Sequence, residues 1–250
     1  MSDAAPIIRF EGLRKSFGPK VIFDDVTLDV REGENLAILG GSGTGKSVML
    51  KCLIRLLEPD GGRIFFKDRD VTELDDADMV QVRAEIAYVF QQAALFDSMS
   101  VHDNIAYPLR GRLKLTEDEI GRRVALNLER VGLPGAGDLM PAQLSGGMRK
   151  RIGLARAIAL EPKVILWDEP TTGLDPSNTR RISELILKMQ RELDVTSLVV
   201  THDMTSAMMV ADRIALLYEK RIHKVVAKAD VAREPAGSVL RDFIEGNIAF

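Results

Sequence analysis

The chain has 250 residues, of which 46% are hydrophobic, enough for a sizeable core, so a wholly disordered protein is excluded. Its 34 basic and 37 acidic side chains give a formal net charge of -3, which excludes a global positive field that would attract nucleic acid. The single cysteine, Cys52, excludes an intramolecular disulfide and a cysteine-built metal site. We expect no signal peptide and no membrane-spanning helix, because no apolar run reaches ~18 residues.

The first third of the chain predicts strands on either side of a glycine-rich loop and a helix. Residues 7–30 alternate in blocks typical of short antiparallel strands, with a turn at residues 17–20. Asn35–Leu39 is a short apolar run that ends in glycines, and residues 46–57 carry apolar side chains at helical spacing. Residues 63–67 predict a further strand.

The rest of the chain predicts a helical insertion followed by a parallel crossover. From about residue 92 to residue 160, helical patterns are separated by glycine and proline turns. Residues 163–167 are almost entirely apolar, as is typical of a strand buried on both faces of a parallel sheet. A helix at residues 177–193 and a second buried strand at Thr196–Thr201 follow. Strand, helix and strand of these lengths indicate the α/β class.

The glycine-rich run matches the pattern of a glycine, four residues, a second glycine, a lysine and then a serine or threonine. We call it the phosphate loop, and it consists of Gly40, Gly41, Ser42, Gly43, Thr44, Gly45, Lys46 and Ser47. Glycines allow successive N–H groups to point inward and surround phosphate oxygens at a helix N-terminus. We expect Lys46 to hold the outer phosphates of a nucleoside triphosphate and the Ser47 hydroxyl to ligate Mg²⁺.

Two adjacent carboxylates, Asp168 and Glu169, follow the apolar strand at residues 163–167. Burying such a pair is costly unless a cation or a substrate uses it. We expect Asp168 to hold Mg²⁺ through water and Glu169 to polarise the attacking water as a general base. Trp167 we assign to packing.

A second anion site is predicted where residues 144–148 open a helix that continues to about residue 157. Ser145 can cap this helix, which leaves the first N–H groups and the backbone of Gly146 and Gly147 free to hold an anion. The basic side chains that follow are interpreted as a solvated or subunit-facing cluster; they are Arg149, Lys150 and Arg151.

In order and spacing, these motifs closely resemble the ATPase subunits of ABC transporters over nearly the whole chain. The resemblance implies a P-loop NTPase (RecA-like) core with an antiparallel β subdomain at residues 1–91 and 161–232. It also implies an inserted α-helical subdomain at residues 92–160 and a C-terminal tail at residues 233–250. ATP and Mg²⁺ are the implied cofactors. The implied assembly is a homodimer in which the Ser145 segment contacts the γ-phosphate of the ATP held by the opposite subunit.

The same resemblance assigns roles to four further residues. Phe17 lies where an aromatic ring stacks on adenine. Gln91 corresponds to the glutamine that reaches Mg²⁺ and the attacking water while linking the core to the helical insertion. Asp175 matches the segment that crosses the dimer interface, and His202 matches the histidine that contacts the γ-phosphate.

The sequence of the segment after Gln91, residues 92–110, is similar to that of the ATPases of Mla-type (MCE-associated) phospholipid transporters. The sequences of residues 148–151 and 243–246 show the same similarity. This resemblance implies partnership with integral membrane permease subunits and an MCE-type lipid-binding subunit, at the cytoplasmic side of the inner membrane. The alternatives are the ATPase of an amino-acid, metal or drug transporter, or a non-transport ABC ATPase. DNA-acting relatives carry long coiled-coil insertions and translation factors carry two cassettes; this chain has neither, and we expect no nucleic-acid partner.

Overall fold

The computed structural model of the chain describes residues 6–247. Residues 1–5 lie outside the described residues, and the expectation of no signal peptide rests partly on them. Residues 248–250, the last three of the predicted tail, also lie outside. The strands are β1 (Pro6–Phe17), β2 (Lys20–Arg31), β3 (Asn35–Leu39), β4 (Gly61–Phe66), β5 (Arg69–Asp70), β6 (Ile86–Val89), β7 (Val164–Asp168), β8 (Thr196–Thr201), β9 (Arg213–Tyr218) and β10 (Arg221–Ala227). The helices are α1 (Lys46–Leu53), α2 (Asp76–Glu85), α3 (Val101–Arg112), α4 (Glu117–Arg130), α5 (Gly146–Ala157), α6 (Pro176–Leu193), α7 (Met204–Val210) and α8 (Val239–Ile244).

The described strands form one sheet in the order β5-β4-β1-β2-β10-β9-β3-β8-β7-β6. Strands β1, β2, β4 and β5 pair antiparallel, whereas β9, β3, β8, β7 and β6 run parallel. The two parts meet through β10, which pairs with β9 and touches β2 at Arg221 and Asp25. The predicted α/β class, with an antiparallel β portion, is therefore confirmed.

The parallel strands are buried on both faces, as their apolar sequences predict. In β3, Leu36 and Ile38 join the cluster that contains α1, whereas Ala37 and Leu39 join the cluster beneath α7 and α8. Trp167 of β7 is 1% exposed and packs on the face that carries α3, α5 and α6. This double covering holds the carboxyl ends of the strands in fixed positions.

The predicted helix at residues 46–57 is too long, because α1 ends at Leu53. Arg55 adopts a left-handed backbone with φ 50°, and the N–H of Leu56 donates to the Lys51 carbonyl, so the chain turns away from the helix axis. Leu56 has helical spacing in the sequence but is 52% exposed. The other predicted elements agree with the structure to within two residues at each end, apart from the opening strands, which are 12 residues long rather than short.

Helices α3, α4 and α5 lie between residues 92 and 160, and their apolar side chains share one cluster with β6, β7 and α6. We propose that this stretch is the helical subdomain and that residues 6–91 and 161–232 form the core. Beyond residue 232, Leu240 of α8 packs with Val226 and Leu216 of the sheet. Within residues 6–247, no helix combines the length and the apolar character needed to cross a membrane.

Candidate functional site

Most of the predicted catalytic and phosphate-binding residues lie at the carboxyl ends of four parallel strands. The phosphate loop follows β3, Glu169 follows β7, His202 follows β8, and Gln91 lies two residues beyond β6. Ligands of open α/β sheets bind at this edge. A cleft of about 290 Å³ opens here, and its lining consists of Ile22, Ser42, Gly43, Gly45, Lys46, Ser47, Val48, Gln91, Glu169, Thr172 and His202.

The shape of the phosphate loop requires glycine at two of its positions. Gly45 has φ 102°, and a Cβ atom there would lie 2.4 Å from Cγ2 of Ile22. A Cβ atom on Gly40 would lie 2.8 Å from the carbonyl oxygen of Leu217. The loop therefore passes too close to its neighbours, and at Gly45 in too unusual a backbone conformation, for a larger residue.

Lys46 is 5% exposed, and its ammonium group lies within the curve of the loop. Its Nζ donates to the carbonyl oxygens of Gly40 at 2.8 Å and Gly41 at 2.9 Å, and lies 3.4 Å from Oε1 of Glu169. Burial lowers the pKa of Lys46, and the nearby carboxylates of Glu169 and Asp168 oppose that shift. A buried cationic group thus lies beside the N-terminus of a helix, a place suited to anions.

Asp168 lies between a hydroxyl of the phosphate loop and a tyrosine that sequence reasoning left without a role. Ser47 Oγ donates to Asp168 Oδ1 at 2.5 Å, and the Tyr88 hydroxyl donates to Asp168 Oδ2 at 2.7 Å. Burial and the neighbouring carboxylate raise the pKa of Tyr88, so its hydroxyl remains a donor. Tyr88 is 80 positions from Asp168 in the sequence, and no local sequence pattern predicts a contact between residues so far apart.

The carboxylate of Glu169 contacts three other side chains, and the backbone of Glu169 is left-handed, with φ 50°. Its Oε2 lies 2.9 Å from Nδ1 of His202 and accepts a hydrogen bond from Thr172 Oγ1 at 3.0 Å, while Lys46 approaches Oε1. Burial alone would raise the pKa of Glu169, but His202, Lys46 and Thr172 together hold it below its ordinary value. The carboxylate is therefore ionised, oriented and open to the cleft.

The remaining predicted residues lie outside the lining of this cleft within a single chain. Phe17 is 47% exposed, with Lys15 Nζ 5.4 Å from the centre of its ring. Ser145 caps α5 by accepting from the N–H of Met148 at 3.2 Å, and Ser145 and Gly146 are exposed, with Gly147 partly so. Asp175 is exposed and caps α6. That the Ser145 segment meets the nucleotide of a second copy stays a prediction.

Two of the three side chains predicted to form a solvated or subunit-facing cluster at residues 149–151 contact carbonyl groups of their own chain, and whether the cluster faces a second subunit stays a prediction. Lys150 is partly buried and donates to the carbonyl oxygens of Pro170 and Thr172, in the loop that follows Glu169. Arg151 is partly buried and donates to the carbonyl oxygens of Val131 and Gly132, which follow the last residue of α4. Helical spacing gave no sign that these cations would turn inward to satisfy carbonyl groups.

Comparison with known proteins agrees with this geometry. The model of the ABC transporter family matches residues 23–172. The probable ribonucleotide transport ATP-binding protein Mkl of Mycobacterium leprae is 43% identical over 96% of this chain and 69% of its own length. The intermembrane phospholipid transport system ATP-binding protein MlaF of Haemophilus influenzae is 40% identical over 86% of this chain and 82% of its own length. The methionine import ATP-binding protein MetN 2 of Rhodococcus jostii also matches. It is 40% identical over 96% of this chain and 71% of its own length.

Among solved structures, the dimeric ATP-binding cassette MJ0796, in a post-hydrolysis state bound to ADP and phosphate, superimposes with a TM-score of 0.81. The two sequences are 30% identical, and the match covers 88% of this chain and 98% of that one. The chain therefore belongs to the ABC transporter ATPase family and is an ATP-binding, ATP-hydrolysing subunit of such a transporter.

Proposed function

We propose that the chain hydrolyses ATP with Glu169 as the general base, in a homodimer that drives phospholipid transport through a separate membrane permease. The observation that carries the catalytic part is the position of Glu169. Its ionised carboxylate lines the same cleft as the phosphate loop and is oriented by His202 and Thr172.

The phosphate loop supplies the binding half of the site. Its N–H groups precede α1, so the positive end of the helix dipole faces the cleft. Lys46 exchanges its carbonyl partners for the outer phosphates of ATP, because phosphate oxygens attract an ammonium more strongly than neutral carbonyls do. Phe17, exposed at the end of β1, stacks on the adenine.

Ser47, Asp168 and Gln91 suit Mg²⁺. The hydroxyl of Ser47 and the carboxylate of Asp168 are hard oxygen donors in contact, and Gln91 lines the same cleft. The part of the chain that the structure describes holds no cluster of three or more His, Cys, Asp or Glu side chains able to bind a metal alone. A single carboxylate, that of Asp168, beside the Ser47 hydroxyl fits Mg²⁺, which takes one or two carboxylates together with phosphate oxygens. When bound, Mg²⁺ would neutralise charge on the phosphates.

The chain's own residues then move the proton. Glu169 accepts a proton from the attacking water on its carboxylate, while Thr172 and His202 fix Oε2 and prevent the side chain from rotating. Lys46 stays near Oε1 and keeps the carboxylate ionised until the water is in place. His202, half-exposed at the rim, is free to contact the γ-phosphate with its second ring nitrogen.

The exposed residues complete the site in a dimer. Ser145, Gly146 and Asp175 are exposed and Gly147 partly so, which leaves the α5 N-terminus free to approach the ATP held by a second copy. Each nucleotide would then lie between the phosphate loop of one copy and the Ser145 segment of the other.

The catalytic proposal is tested with Glu169→Gln. This variant should bind ATP with an affinity close to that of the unmodified protein, release phosphate at least about 100-fold more slowly, and form a stable dimer with ATP. Phosphate release, a fluorescent ATP analogue and size-exclusion chromatography give the three readouts. Glu161→Gln is the matched control, because Glu161 also has a left-handed backbone but precedes β7 at its opposite end. Unchanged turnover in Glu169→Gln would remove the base assignment.

Phospholipid is the substrate class favoured by the resemblance of the segment after Gln91 to Mla-type ATPases and by the relative named MlaF. We place the chain at the cytoplasmic face of the inner membrane, bound to permease subunits and to an MCE-type protein through them. Affinity purification of the chain from its native membranes, with mass spectrometry of proteins and lipids, tests this placement. A permease with bound phospholipid supports it. A permease that co-purifies with an amino-acid-binding protein would favour the import ATPases, and co-purified DNA or ribosomes would favour a non-transport role.

A further inference from the structure

Helix α5 is tied to the loop that follows Glu169 by a single lysine. Lys150 Nζ donates to the carbonyl oxygen of Pro170 at 2.9 Å and to that of Thr172 at 2.8 Å. The neighbouring Arg149 is exposed, whereas Lys150 is partly buried against this loop. Two short hydrogen bonds from one ammonium to carbonyls two residues apart hold the loop in one conformation.

The same loop holds Glu169. Thr172 Oγ1 donates to Glu169 Oε2 at 3.0 Å, and the Thr172 N–H donates to the Glu169 carbonyl at 3.3 Å. The carbonyl oxygen of Thr172 therefore accepts a hydrogen bond from Lys150, and the Thr172 hydroxyl orients the Glu169 carboxylate. A continuous chain of contacts runs from α5 through Thr172 to the carboxylate.

The charges support the same connection. Burial lowers the pKa of Lys150, and the negative charge of Glu169 opposes that shift. Carbonyl oxygens are the hydrogen-bond partners of this ammonium, and Glu169 lies near enough to stabilise its charge. An ionised Glu169 and a correctly seated Lys150 therefore favour each other.

We infer that Lys150 is a positioning residue for ATP hydrolysis: it anchors the Pro170–Thr172 loop to α5 and so holds Glu169 in its reactive orientation. The inference rests on the proposed role of Glu169 as the base. It makes α5 a helix with two tasks, since its first turn carries the Ser145 segment and its second turn carries the anchor of the base.

The test compares Lys150→Met, Lys150→Arg and Thr172→Val in the purified chain. Lys150→Met removes both hydrogen bonds and the charge but keeps most of the aliphatic stem, and it should lower kcat by about tenfold while the KM for ATP stays within about twofold. Lys150→Arg keeps the charge and the donors and should recover most of the lost rate. Lys188→Met is the matched control, because Lys188 also donates to a backbone carbonyl, that of Arg130, away from the cleft.

Thr172→Val tests the second link, and it remains informative if Lys150→Met does not fold. Loss of the hydroxyl removes the donor that orients Oε2 of Glu169, so kcat should fall about tenfold while the KM for ATP stays within about twofold. Thr172→Ser keeps the hydroxyl and should recover most of the rate, a rescue that a purely structural role of Thr172 does not predict. In the double variant the losses should be less than multiplicative, because both changes release the same carboxylate.

The outcomes separate this inference from the base assignment. If Glu169→Gln stops turnover while Lys150→Met and Thr172→Val turn over normally, the positioning role is overturned and the base assignment stands. If Glu169→Gln turns over normally, the base assignment fails first. Equal loss of rate in Lys188→Met and Lys150→Met would assign the effect to general destabilisation and also overturn the inference.

Discussion

Replacing Tyr88 with Phe should raise the Mg²⁺ concentration that ATP hydrolysis requires, without disturbing the fold. The change removes one oxygen atom, and with it the 2.7 Å hydrogen bond to Oδ2 of Asp168. The ring remains and keeps its contact with Phe90, whose centroid lies 4.3 Å away. Asp168 would then keep only the hydrogen bond from Ser47, so its carboxylate would be oriented less firmly.

The size of the effect follows from the charge on the acceptor. A hydrogen bond to a charged group contributes about 1.5–3 kcal/mol, and each 1.4 kcal/mol corresponds to about tenfold in an equilibrium constant. Because Asp168 retains its bond to Ser47, we take the lower end and expect about a tenfold rise in the Mg²⁺ concentration that gives half-maximal activity. Phosphate release measured against Mg²⁺ at saturating ATP reports this constant directly.

Tyr107→Phe is the control for this experiment. Tyr107 is 55% exposed and contacts Phe96 through its ring, a contact that phenylalanine retains. If Tyr88→Phe and Tyr107→Phe both keep the Mg²⁺ dependence of the unmodified protein, Tyr88 does not orient Asp168 and the reasoning is refuted.

Three further changes probe the other parts of the cleft. Lys46→Ala removes the cation of the phosphate loop and should weaken ATP binding at least about tenfold in a fluorescence titration, and an unchanged affinity would contradict the phosphate-binding role. Phe17→Ala should weaken ATP binding by about 1 kcal/mol through loss of stacking, whereas Phe17→Tyr should bind normally. Since the contacts of Glu169 hold its pKa below the ordinary value, turnover should persist into mildly acid solution; His202→Ala removes one such contact and should shift the acid limb to higher pH.

The parts of the site that depend on neighbouring residues could be predicted from the sequence. The phosphate loop is a contiguous pattern, and Asp168 and Glu169 follow an apolar strand whose burial on both faces is evident from its composition. Parallel strands then bring the loop after β3 and the carboxylates after β7 to one edge of the sheet without any further information.

The contacts of Lys150 and Tyr88 could not be predicted in this way. Lys150 meets Pro170 across 20 positions, and Tyr88 meets Asp168 across 80. Such contacts depend on where two elements are placed after folding, and a lysine has the same helical spacing whether it faces water or a carbonyl. The helix predicted at residues 46–57 is longer than α1 for a local reason. The left-handed turn that ends α1 occurs at Arg55, and the sequence does not signal such a turn at a residue other than glycine.

The helices between residues 92 and 160 contact the rest of the chain in two ways, through apolar packing and through hydrogen bonds. The two kinds of contact respond differently when a helix moves. The apolar contacts around Trp167 are non-directional, so they do not by themselves fix the angle at which α5 lies. Hydrogen bonds such as that from Arg156 to the Ala93 carbonyl weaken steeply when their angle changes. Because such hydrogen bonds join α5 to both segments, a small rotation of α5 would displace the Ala93 and Pro170 segments together with the helix.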